Sequence, residues 1–263
     1  MPSTAAETGK TGSLVQRELS AERTEGLSCL NDSKKAGAAL ISSNPSGLTA
    51  TSPCTGEADN FVSAKDHYDL LICEGDDPVL DPPELSAYMD GWDGEAFLNA
   101  LELTPDCRVL EIGVGTGRLA LRVLKRGCAG FNGLDLSEAA LRVAARHLAG
   151  FADVSLVQGE FPKDAPDGQF DRIYSSLTFL HIEDKRAACE RIASLLAPAG
   201  RCVISLDKER KDVLDMGVRR VKTFPDTPEE ISLLLQKSGL QALTAIELER
   251  AYLVIAQKRL SAE

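Results

Sequence analysis

The chain is poor in aromatic residues: Phe, Tyr and Trp make up 5% of its 263 positions, and Trp92 is the only tryptophan. Residues 1–60 contain no aromatic residue at all, while 28 of those 60 are Ser, Thr, Gly, Pro or Asn. Such a segment buries too little apolar surface to offset the entropy of ordering it, so a disordered N-terminal tail is expected there. A targeting segment would be acid-poor, yet Glu7, Glu18, Glu22 and Glu25 stand in it. No run of 18 apolar residues occurs, and no apolar segment precedes a small-residue cleavage site. Neither a membrane span nor a secretory leader is expected. The seven cysteines include no CxxC pair, which argues against a zinc site or disulfide framework and suits a reducing cytoplasm. Basic charge is in deficit, 29 Lys and Arg against 40 Asp and Glu for a net −11. That balance repels phosphate backbones, and no DNA partner is expected.

From Phe61 onward, short apolar runs alternate with segments of helical periodicity, the pattern of βαβ units around a mostly parallel sheet. Strands are expected at 108–112, 130–134, 154–157, 170–175 and 201–206, with a final pair near 240–246 and 252–257. Helices are expected at 118–125, 138–147, 185–196 and 228–237. Ser137 and Asp184 stand where N-caps belong, and Gly150, Gly200 and Gly239 follow helix ends, where a left-handed backbone is useful. Trp92 and Phe97 are spaced as a hydrophobic staple around an Asp93 N-cap, although Trp92 in a pocket wall is an alternative.

Chemistry concentrates where these strands end. In VLEIGVGTG, Gly113, Gly115 and Gly117 sit where the first strong strand turns into a helix, the place at which glycines let a ligand approach main-chain atoms. Alone, such a loop is as often a plain turn. Asp135 closes the second strand, 22 residues after Gly113, where a carboxylate accepts from both hydroxyls of a ribose or, alternatively, caps the next helix. Glu160 and Phe161 follow the third strand, offering an acceptor and an apolar wall to an adenine. Ser175 and Ser176 end the fourth, beside the expected amino-acid end of the ligand. A dinucleotide motif of the GxGxxG type would need glycine at 118, where this chain has Arg118.

Taken in order, VLEIGVGTG, GLDLSEAAL, VQGEFP, FDRIYSSLTFLHI and LLAPAGRCVIS resemble the successive motifs of the class I methyltransferases over residues 107–206. The resemblance implies a doubly wound α/β fold with a mostly parallel seven-stranded sheet, and S-adenosyl-L-methionine as cofactor. TAIELERAYLVIAQK is similar to the C-terminal antiparallel hairpin that closes the family's sheet. It implies that Glu111, Gly113, Gly115 and Gly117 hold the methionine portion, Asp135 with Leu136 the ribose, Glu160 with Phe161 the adenine, and Ser175 the amino-acid end. Glu160 departs from the commoner Asp, and its longer side chain can face solvent. The implied layout is a tail over 1–60 and one domain over 61–263: a helical lid over 61–104, the cofactor core over 105–206, and the rest of the sheet over 207–263.

The sulfonium carries its own leaving group, so the protein must chiefly align a nucleophile and exclude water. His181, after the fourth strand, is the candidate general base, because an unperturbed histidine titrates near neutrality; a packing role is the alternative. His147, on a helix, points toward an outer layer. Acceptor recognition is expected from 67–93 and 207–225, with Tyr68 packing over the cofactor as a lid. The mixed run Lys208, Arg210, Lys211, Arg219, Arg220 and Lys222 either docks an anion or faces solvent. No NPPY-type motif follows the fourth strand, which reads SSLT. A methyltransferase acting on O or N of a small molecule is therefore expected, in the cytoplasm and without a metal. A non-catalytic cofactor- or partner-binding protein, or an RNA or protein methyltransferase, stands as the alternative. Oligomeric state is not legible.

Overall fold

A computed structural model describes residues 60–260, so the expected tail over 1–60 falls, Asn60 apart, outside the described residues. The elements run β1 Phe61–Val62, α1 Ala64–Cys73, α2 Pro83–Asp93, α3 Glu95–Ala100, β2 Arg108–Ile112, α4 Arg118–Arg126, β3 Gly130–Asp135, α5 Glu138–His147, β4 Val154–Gln158 and β5 Phe170–Ser175. A 3-10 turn at Phe179–His181 follows, then α6 Lys185–Leu195, β6 Leu196–Asp207, β7 Val213–Asp215, β8 Arg220–Lys222, α7 Pro228–Lys237, β9 Leu240–Glu247 and β10 Ala251–Lys258.

Seven strands form one sheet in the order β4-β3-β2-β5-β6-β10-β9. Strands β2 through β6 pair in parallel, and β10 runs antiparallel between β6 and β9. The sequence thus yields the expected doubly wound α/β fold with its C-terminal hairpin. The chain winds outward from β2 in one direction through β3 and β4, then returns to β5 on its other side. That reversal between β2 and β5 opens the crevice in which such folds bind ligands.

Period-two alternation builds both faces of this sheet. Val109, Tyr174, Val203 and Leu253 pack with Phe97, Leu119, Phe131 and Leu141 beneath α3, α4 and α5. Their neighbours Leu110, Ile173, Cys202 and Val254 pack with Ile192, Ile231 and Leu235 of α6 and α7 on the other face. Each fully buried Leu, Ile or Phe contributes about 1.5–3 kcal/mol of transfer free energy. Ser137 and Asp184 cap their helices as expected, accepting from Ala140 N at 3.0 Å and Ala187 N at 2.9 Å.

Two local expectations are overturned. Strand β6 begins at Leu196 instead of 201, because Leu196, directly after the last residue of α6, is already extended (ψ 132). Gly239 has positive φ, but Gly150 and Gly200 do not; Ala199 takes the left-handed conformation (φ 61) instead. A Cβ on Gly200 would meet the Ala197 carbonyl at 2.7 Å, so close backbone approach is what that position requires.

A second, three-stranded sheet has the order β1-β8-β7. β7 and β8 form an antiparallel hairpin, and β1 lies parallel to β8 with Phe61 opposite Arg220 and Val62 opposite Val221. The segment immediately before α1 is thereby stitched to an excursion that leaves the main sheet after β6.

Candidate functional site

The loop after β2 takes its shape from glycines that no other residue replaces without strain. Gly113 has φ +83, and a Cβ there would come within 1.9 Å of Thr178 Oγ1. Gly115 has φ +53, yet its Cβ would meet nothing within 4 Å. The loop therefore leaves open space over Gly115, at the carboxyl edge of β2.

Asp135, the last residue of β3, closes this loop from the next strand. Its Oδ2 accepts from Gly115 N at 2.8 Å and its Oδ1 from Ser137 N at 2.9 Å. A carboxylate offers about four acceptor sites, so with backbone donors at Gly115, Ser137 and Leu136 capacity remains for a further hydroxyl. Burial pushes the carboxyl pKa up, against these backbone hydrogen bonds. Leu136, next in the chain, is half-buried.

Glu111 points from β2 into the sheet's interior, 2% exposed, and accepts from the Tyr174 hydroxyl at 2.7 Å. Burial lifts its carboxyl pKa well above the usual range, with Tyr174 and the Arg118 charge acting in opposition. Ser175 is fully buried and donates to the Ile112 carbonyl at 3.1 Å, so its hydroxyl ties β5 to β2. Phe161 is buried among core side chains, whereas Glu160 is exposed, as its greater length allows.

Asp93 corrects the staple expectation. It is the last residue of α2, with Gly94 leading into α3, and its side chain turns inward instead of capping. Fully buried, it binds the Arg118 guanidinium through both oxygens at 2.9 and 2.5 Å and accepts from Ser176 Oγ at 2.6 Å. The residue that breaks the dinucleotide motif thus anchors α2 beneath the glycine loop.

Above the loop lies α1. Ser137 donates to Asp69 Oδ1 at 2.6 Å, which docks α1 on the start of α5. This brings the Tyr68 hydroxyl within 2.9 Å of His181 Nε2, with the two rings edge to face at a 5.4 Å centroid distance. Burial first, then the His67 and Lys185 charges, lowers the His181 pKa to about 4. The premise of an unperturbed histidine titrating near neutrality therefore fails. Burial also raises the Tyr68 pKa, reinforced by Asp135 and Asp76. Both groups stay neutral at pH 7, and His181 Nδ1 has no hydrogen-bond partner among the described residues. His147 lies apart, paired through Nε2 with Asp77 at 2.8 Å.

The basic run over 208–222 is neither a bare anion dock nor a wholly solvated face. Arg219 is buried: Nη1 and Nη2 donate to Glu74 at 2.6 and 2.7 Å, and Nε donates to His67 Nδ1 at 2.9 Å. Lys208 and Lys211 pair with Glu247 and Glu209 at 2.6 and 2.5 Å. In the sequence Arg219 is one of six basic residues in that run, and nothing distinguishes it from its exposed neighbours until α1 is placed. Asp69, directly after Tyr68, reads in the sequence only as one of the acids of HYDLLICEGDD. A pocket beside Leu180 is lined by Ser205, Asp207, Thr223 and Asp226 at the carboxyl end of β6. Among the described residues no cluster of His, Cys, Asp and Glu can hold a metal ion, and no helix is long and apolar enough to cross a membrane.

Open space over Gly115, the Asp135 carboxylate and the buried acid of Glu111 thus stand together at the ends of β2 and β3. Residues 109–200 match a family model described as a methyltransferase domain. The chain is similar to phosphoethanolamine N-methyltransferase 3 of Arabidopsis thaliana, 33% identical over 111 residues, which are 41% of this chain and 23% of that protein. It is 37% identical over 102 residues to an uncharacterized methyltransferase of Bacillus licheniformis, covering 37% of this chain and 46% of that protein. Among solved structures it is similar to the N-methyltransferase NodS from Bradyrhizobium japonicum in complex with S-adenosyl-L-homocysteine, with a TM-score of 0.55 at 17% identity, covering 74% of this chain and 97% of that one. The matched segment spans about a quarter of the plant relative and under half of the bacterial one. The motif order, the strand order and the family match agree: the sheet is the doubly wound α/β fold, and residues 109–200 within it match a methyltransferase domain.

Proposed function

We propose that this protein binds S-adenosyl-L-methionine over Gly115 and transfers its methyl group to an O or N atom of a small molecule held beneath Tyr68 and His181. The observation that carries the reading is the neutral Tyr68–His181 pair, standing at the same sheet edge as an open glycine loop and its ribose-type acid.

Asp135 would hold the ribose, with Leu136 beside it. Glu111, Gly113 and Gly117 would shape the methionine side, and Phe161 would wall the adenine. Ser175 would act there through the backbone it fixes, because its hydroxyl is spent on Ile112. When bound, the cofactor supplies a methyl group already activated by its sulfonium. The chain then has to aim a lone pair. Tyr68 Oη and His181 Nε2 share one hydrogen bond between two neutral groups, so the pair presents an oriented donor and acceptor instead of a strong base. Alignment of this kind is worth up to about 7–11 kcal/mol, against a factor of about 10²–10⁴ for proton transfer.

An amine acceptor has specific support. The pocket beside Leu180 carries Asp207, Glu209 and Asp226 together with Lys211, Glu209 being paired with Lys211 and Asp226 with Lys185, so the support comes from the plant relative, which is named as a phosphoethanolamine N-methyltransferase. A cytoplasmic setting suits the free cysteines at 73, 107, 128, 189 and 202.

Calorimetric titration with S-adenosylmethionine tests the first half of the reading, and absence of binding overturns it. Transfer of labelled methyl groups to an extract, split into small-molecule and macromolecular fractions, tests the second. Label in the small-molecule fraction is expected. Label confined to RNA or protein overturns the acceptor class, and binding without transfer favours a non-catalytic role.

A further inference from the structure

The Tyr68–His181 pair joins two segments 113 residues apart, and a third segment fastens each of them. On the Tyr68 side, Arg219 grips α1. Its planar fork engages Glu74 bidentately while Nε reaches His67, a residue 3% exposed whose ring meets Tyr68 edge-on at 5.1 Å. The β1–β8 pairing, extended by Arg220 N donating to the Asn60 carbonyl at 2.9 Å, repeats that attachment through the backbone. On the His181 side, Lys185 Nζ donates to the Phe179 and Phe224 carbonyls at 2.9 and 2.6 Å and pairs with Asp226 at 2.5 Å. Phe224 N donates to the Leu180 carbonyl at 2.7 Å, so the turn bearing His181 is bonded to the same excursion.

We propose that the excursion over residues 207–226 sets the Tyr68–His181 pair from both sides, with Arg219 and Lys185 as its positioning residues. The inference rests on the reading that this pair serves methyl transfer. Arg219 touches neither Tyr68 nor His181; it acts through His67. Only a guanidinium offers coplanar donors to a carboxylate and an imidazole together, so a lysine at 219 would keep the charge and lose the geometry. The arrangement also fixes the His67 tautomer: Nδ1 accepts, which leaves the proton on Nε2. The charged groups facing these rings are Arg219 and Glu74 at His67, His67 and Lys185 at His181, and Asp135 and Asp76 at Tyr68.

The chain has three histidines, so their ring nitrogens can be resolved by ¹⁵N magnetic resonance on the full-length protein. In the unmodified chain the two His181 ring nitrogens are expected at distinct positions, one acceptor-like and one protonated, as a single tautomer held by Tyr68 requires. Arg219→Met is expected to move both His181 signals toward the averaged position of a ring that exchanges tautomers. His147, paired with Asp77, stays unchanged and reports an intact fold. Should Arg219→Met fail to fold, Glu74→Gln, at a half-exposed side chain, is expected to move the same signals in the same direction by a smaller amount. His181 signals unmoved in every folded variant overturn the proposal. Titration with S-adenosylmethionine separates the two ideas. A chain that binds it while His181 ignores position 219 sinks the clamp alone. One that does not bind it, yet shows the coupled signals, sinks the functional reading and leaves the clamp standing.

Discussion

The Tyr68 hydroxyl lies 2.9 Å from His181 Nε2, and both groups are held neutral by the burial that brings them together. The contact links the helix that roofs the sheet edge to the turn that follows β5. It converts two residues of ordinary chemistry into one oriented unit above the glycine loop.

Replacing Tyr68 with Phe keeps the ring and removes the hydroxyl. Methyl transfer is expected to fall about 10²-fold, at the lower end for loss of an acid–base or aligning group, with S-adenosylmethionine affinity changed less than threefold. Single-turnover rates beside calorimetric titration make the comparison. An unchanged rate would remove the pair from the mechanism.

The glycine loop gives a sharper test of the cofactor site. Gly115→Ala places a methyl group in open space at φ +53, which costs about 1–2 kcal/mol of backbone strain and nothing in packing. The variant is expected to fold, melt a few degrees lower and bind S-adenosylmethionine at least tenfold more weakly. Asp135→Ala is expected to do the same through lost ribose contacts and freed Gly115 and Ser137 amides. Undiminished affinity in both would move the site elsewhere.

Asp93 carries stability. Asp93→Ala leaves the Arg118 guanidinium without its bidentate partner in a largely buried position, and breaking such a pair costs about 3–5 kcal/mol. Urea unfolding of the variant is expected to show that loss. A change under 1 kcal/mol would mean that Arg118 finds another partner.

Acid should weaken the roof through His67. Burial first, and Arg219 second, lower its folded pKa to about 4 from the ordinary 6.5. Between those values the unfolded chain binds more protons, so this group's contribution to stability falls as pH is lowered through 6.5 and levels off below 4. Glu111 and Asp135, with raised pKa values, act oppositely as their folded forms retain protons. The informative quantity is therefore the difference between the unmodified chain and His67→Gln, whose amide oxygen can still accept from Arg219. That difference is expected to shrink from pH 7.5 to pH 5, with a slope approaching about 1.4 kcal/mol per pH unit. A pH-independent difference would show His67 titrating normally.

The floor of the site was legible because each of its parts is local. A strand, a glycine turn and a helix are encoded in contiguous residues, so Gly113, Gly115, Gly117 and Asp135 could be placed from spacing alone. The roof depends on contacts of long sequence separation. Arg219 and His67 are 152 residues apart, and nothing in either neighbourhood announces the other. Asp93 misled for the same reason, since its local surroundings resemble a helix start until Arg118 draws the carboxylate inward. His181 stood at the expected position, but its proton affinity is set by burial and by charges from other segments, which no local pattern encodes.

The pairing of β1 with β8 has a consequence for how such a protein can be recombined. The part that matches the family model, residues 109–200, lies wholly between the two pieces that make the roof. A crossover placed within that shared stretch would give a hybrid with half a roof from each parent, its Arg219 facing an unfamiliar Glu74 and His67. Keeping the contacts of Arg219 with Glu74 and His67 would therefore need residues 60–94 and 207–226 to be inherited together, although the shared core separates them in the chain.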